Sequence, residues 1–100
     1  MNNFDRFVLF HAENPHVYDL FERLALKGIA AGRRHLSAYQ IFEVMRWEYS
    51  IETTEPKRNP DDPDRTLKLN NNHRPYYARL FMDKHPKREG VFRIRKIRSI

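Results

Sequence analysis

Asn70, Asn71, Asn72, His73 and Arg74 stand in one unbroken run. Asn and Arg carry the paired donors and acceptors that match adenine and guanine edges. A helix starting here would add free N–H groups and the positive end of its dipole, both of which favour an anion. Asn71, Asn72, His73 and Arg74 are therefore candidate nucleic-acid contacts. Tyr76 is a candidate stacking ring, and Arg79 is a further cation on the same helix. A strand exit followed by a helix cap is the plainer reading, because Asn is among the best N-cap residues. It accounts for one asparagine and leaves two over.

The second group with chemical potential is cationic. The formal net charge is +6, yet residues 1–83 hold twelve Lys/Arg and twelve Asp/Glu. The excess lies in the last 17 residues, where Lys84, Lys87, Arg88, Arg93, Arg95, Lys96 and Arg98 face Glu89 alone. Such a segment attracts polyanions by counterion release and steering. It would equally serve to solvate an edge strand and block aggregation. Lys87, Arg88, Arg93, Arg95 and Lys96 join the candidate contacts.

Catalytic chemistry finds little support. The chain has no cysteine, which excludes disulfides, thiolate catalysis and cysteine-ligated zinc and suits a cytoplasmic location. Its five histidines lack the i, i+4 spacing of a helical zinc pair. The "NNNH" run has the Asn and His content of ββα-metal nucleases without the second His and flanking ligands in register. Three glycines cannot supply a nucleotide-binding fingerprint, and Glu13 with Asp19, or Glu43 with Glu48, read as helix-face charges. We expect no enzyme, no cofactor and no metal.

These residues must be positioned by one domain, 1–100, since either half would bury too little core to stand alone. Seven Phe, five Tyr and one Trp supply that core. There is no run of about 18 apolar residues and no convincing signal peptide, so a membrane partner is not expected. Residues 1–13 read as an N-terminal arm. Asn14 and Pro15 open a first helix with Val17, Leu20, Phe21 and Leu24 on one face, ending near Gly28 to Gly32. Ser37 and Gln40 form a capping box for a second helix over 38–49, with Val44 and Trp47 expected to be covered on its other side. Ile51 to Leu69 reads as a β-hairpin with a polar tip at 55–65. Asn72 caps a third helix over 73–84, with Tyr77, Leu80 and Phe81 inward and Ala78, Arg79 and Met82 turned away. "VFRIRKI" alternates as a half-buried strand, with 96–100 a frayed end.

The order is ααββαβ: an α+β fold, winged-helix-like, with a small antiparallel sheet. In a winged helix the second helix would meet DNA. Arg33 and Arg34 would then touch phosphates, Tyr39, Gln40 and Arg46 would face the duplex, and Lys57 and Arg58 would form the wing. Acidic Glu55, Asp61, Asp62 and Asp64 weaken that wing. Whether helix 38–49 or helix 73–84 makes the contact stays open.

At "AGRRHLSAYQIFEVMRWEYSIET" and "KLNNNHRPYYARLFMDKHP" the sequence resembles a group of small, mostly uncharacterised bacteriophage and prophage proteins. The likeness runs from about Phe10 to Arg95, and "NNNHRPYYARL" is its most specific part. It implies a phage or prophage origin, hence a bacterial host cytoplasm, and nothing about catalysis. The expectation is a non-enzymatic nucleic-acid-binding protein, with DNA favoured. The alternative is a protein-interaction module, such as a phage inhibitor of a host factor or defence complex, set against an acidic host-protein surface.

Overall fold

A computed structural model describes residues 2–49 and 69–93. It holds four α-helices: α1 (Asn3–Glu13), α2 (Pro15–Ala30), α3 (Ala38–Glu48) and α4 (Arg74–Lys84). Two 3₁₀ turns, Asn71–His73 and Pro86–Arg88, flank α4.

The expected α+β fold is overturned. Among the described residues there is no strand, and the single β-bridge is a parallel one between Leu36 and Phe92. The winged-helix assignment and the order ααββαβ fall with the sheet. A half-buried strand would bury one of two neighbouring residues, whereas Val91 and Phe92 are both buried. Phe92 plugs the helical core, stacked on Phe21 at 5.5 Å between ring centroids and edge-on to Phe81 at 5.7 Å. The hairpin tip 55–65, Lys57 and Arg58, and the strand continuation from Ile94 onward lie outside the described residues.

Residues 1–13, expected as an arm, contain α1. Asn2 caps it by accepting from the Asp5 N–H at 2.8 Å, and Phe7 buries its inner face. Pro15 cannot donate an N–H to a continuing helix, so the axis breaks at Asn14. That residue is fully buried, and its backbone N–H and Nδ2 both donate to the Phe10 carbonyl, at 2.8 and 3.1 Å. Pro15 then opens α2, as the sequence indicates. Ser37 caps α3, its Oγ accepting from the Gln40 N–H at 3.2 Å.

The core is aromatic and centres on Tyr77, which is fully buried. Its ring lies 4.9 Å from Phe7, 5.6 Å from Phe21 and 5.7 Å from Phe42, so α1, α2, α3 and α4 meet there. Ala78, expected to turn outward, is buried at 2% exposure, because α4 is covered by both α2 and α3. Trp47, expected to be covered, is 82% exposed. Its indole N–H donates to Glu43 on the outer face of α3 at 3.0 Å.

Candidate nucleic-acid interface

The chain leaves α2 through a cap that its glycine makes possible. Gly32 has φ +92°, a left-handed conformation open to glycine without penalty. There the Arg33 N–H donates to the Gly28 carbonyl at 3.2 Å and the Gly32 N–H to Ile29 at 2.9 Å. These paired bonds satisfy the last carbonyls of the helix and turn Arg33, Arg34 and His35 outward, all exposed. Gly28 admits the following Leu36 against α2, where a Cβ would lie 2.7 Å from Leu36 Cδ2.

The C-terminal basic pair is presented by a second turn. Past α4, the 3₁₀ turn Pro86–Arg88 carries exposed Lys87 and Arg88. Gly90, with φ +81°, redirects the chain inward, and Val91 and Phe92 anchor it in the core. The Leu36 N–H donates to the Val91 carbonyl at 2.8 Å, tying the two turns together.

Between the turns lies a groove of about 450 Å³. Arg33, Arg34, His35, Lys87 and Arg88 line it, Glu89 is its one carboxylate among the described residues, and Ile29 and Val91 give it apolar surface. Four of the candidate contacts, Arg33, Arg34, Lys87 and Arg88, thus share one surface although more than 50 residues separate the pairs. His35 joins them. Its only signal in the sequence is its place beside the Arg pair. Arg93 is exposed just past Phe92, and Arg95 and Lys96 lie outside the described residues.

The asparagine cluster is placed elsewhere; the Asn70 and Asn71 side chains are occupied structurally, whereas Asn72 is exposed. Asn70, not Asn72, is the cap: its Oδ1 accepts from the Asn72 N–H at 2.9 Å, one 3₁₀ turn before the expected helix start. Asn71 Oδ1 accepts from the Arg46 guanidinium, which also donates to the Leu69 carbonyl at 2.9 Å and to Glu43 at 2.6 Å. Arg74 Nε donates to the Asn71 carbonyl at 3.1 Å, and the guanidinium covers the Tyr39 ring at 5.2 Å.

His73 is buried at 4% exposure beside Phe7 and Phe10. Burial, aided by the Arg6 charge, holds its pKa below the usual imidazole value. Tyr76 sits against Phe4 and Phe7, at 5.6 and 5.4 Å. Eleven residues of α4, about 16 Å of helix, separate this cluster from the turn bearing Lys87 and Arg88. Arg79 is exposed along α4.

Gln40 lines a second groove, of about 600 Å³, between α2 and α3. Arg33 borders both grooves, Lys27 stands beside it in the second, and Glu43 and Glu48 also line that one. No helix among the described residues is long and apolar enough to cross a membrane. No protein-family model, no curated protein and no solved structure matches the chain.

Proposed function

We propose that the chain is a non-enzymatic nucleic-acid-binding protein of phage or prophage origin, acting in the host cytoplasm and favouring DNA. The observation that carries this reading is the groove in which Arg33, Arg34, His35, Lys87 and Arg88 converge. Converging cations on a concave surface raise the local concentration of a polyanion and steer its approach. Anisotropy titration with duplex DNA, single-stranded DNA and RNA at two salt concentrations tests it. Binding should weaken as salt rises, and Arg33→Ala with Lys87→Ala should weaken it at constant fold. Arg74→Ala, at the other end of α4, should leave it nearly unchanged.

A second reading rests on a different surface. Phe4, Val8 and Leu9 of α1 are each about half exposed, and large apolar side chains left open to solvent on one helix suit a protein contact. Capture of one specific host protein with no binding to any nucleic acid at low salt would favour an inhibitor or adaptor.

A further inference from the structure

We infer that the basic groove holds the phosphodiester backbone of duplex nucleic acid and reads no base. The inference rests on the nucleic-acid reading above and narrows it. Base recognition needs side-chain amides, fork-shaped donors facing a base edge, or free aromatic faces. Among the described residues the groove offers no side-chain amide and no ring but the His35 imidazole: its polar side chains are three arginines, a lysine, that histidine and Glu89. All five cationic or imidazole side chains sit on turns that flank the groove rather than on a helix that could enter the major groove.

The groups suited to base reading are spent or set apart. Asn71 holds Arg46, Tyr76 packs against α1, and His73 is buried; Asn72 and Arg79 are exposed but stand on the 3₁₀ turn before α4 and along α4, outside the lining of the groove. Gln40 is exposed but lies past Arg33, in the neighbouring groove with Glu43 and Glu48. A backbone laid along that groove would meet two carboxylates. Trp47, the most exposed ring, donates its N–H to one of them, Glu43. With one imidazole as its ring among the described residues, the groove gives a single strand little advantage over a duplex, and the duplex offers the higher charge density.

The test uses the full chain and three labelled probes: an A·T-rich duplex, a G·C-rich duplex of equal length, and a single strand of equal length. Expected are duplex affinities within about threefold of each other and weaker single-strand binding. Each of Arg33→Ala, Arg34→Ala, Lys87→Ala and Arg88→Ala should lower the slope of log affinity against log salt by about 0.9. A tenfold preference between the duplexes, or for the single strand, overturns the backbone inference and leaves nucleic-acid binding standing. Unchanged slopes in all four variants also overturn it, by removing the groove from the contact. No binding to any probe at low salt overturns both readings.

Discussion

At the scale of single residues, the core contains polar atoms that the helices leave without partners: His11 Nδ1, His73 Nε2 and the Tyr77 hydroxyl, all beside Phe7. A buried hydroxyl of this kind adds desolvation cost without a compensating bond, and burial pushes the Tyr77 phenol pKa upward. Tyr77→Phe should therefore keep or raise the melting temperature; a clear fall would mean that the hydroxyl is bonded.

The two imidazoles give stability a pH dependence. Both have pKa values lowered from the ordinary 6.5, His11 by burial and by the Lys84 charge against an opposing Asp19, His73 by burial and Arg6. The unfolded chain therefore takes up protons first. The stability held by neutral imidazoles is complete above about pH 6.5 and is lost as pH falls toward the depressed folded values. The urea midpoint should drop between pH 7.5 and pH 5.5, and His11→Phe with His73→Phe should flatten that drop.

At the scale of elements, sequence and structure agree on the helix ends set by Ser37, Pro15 and Gly32, whereas Asn14 gives α2 no side-chain cap bond and Asn70 takes the place expected for Asn72. Ser37, Pro15 and Gly32 act through bonds that span six residues or fewer, so a local pattern contains all the information they use. Ser37→Ala should cost about 0.5–2 kcal/mol in thermal unfolding. Gly32→Ala should cost about 1–2 kcal/mol, and Gly32→Asn less, because Asn tolerates the left-handed region.

The failures have local causes of their own. Asn14–Pro15 reads as a helix start, yet the same pair also ends α1. The inner face of α1 is Phe7, Phe10, His11 and Asn14, with His11 stacked on Phe7 at 5.7 Å, so half of that stripe is polar and it does not read as apolar. Two alternating residues, Phe92 and Ile94, are too few to separate a strand from an aromatic plug. The meeting of Arg33–Arg34 with Lys87–Arg88 depends on Leu36 and Val91, a contact across 55 positions that no local pattern encodes.

At the scale of the whole molecule, one aromatic cluster joins all four helices, so a single truncation should be felt everywhere. Phe21→Ala should cost about 3–5 kcal/mol, a large part of the roughly 5–15 kcal/mol typical of a domain, and should lower the urea midpoint in one cooperative step. The groove should fail with it, since Val91 and Phe92 anchor the second basic turn to Phe21 and Phe81. The chain's one tryptophan stands outside this unit. Trp47 lies nine residues along α3 from the first residue after its cap, about 14 Å from the basic turns' end of that helix. Its fluorescence will thus already be red-shifted in the native protein and will change little on unfolding. As a reporter it watches the outer face of α3. A duplex seated in the basic groove should leave its emission nearly unaltered, whereas a ligand laid across α3 should quench it, so one emission titration tells the two docking sites apart.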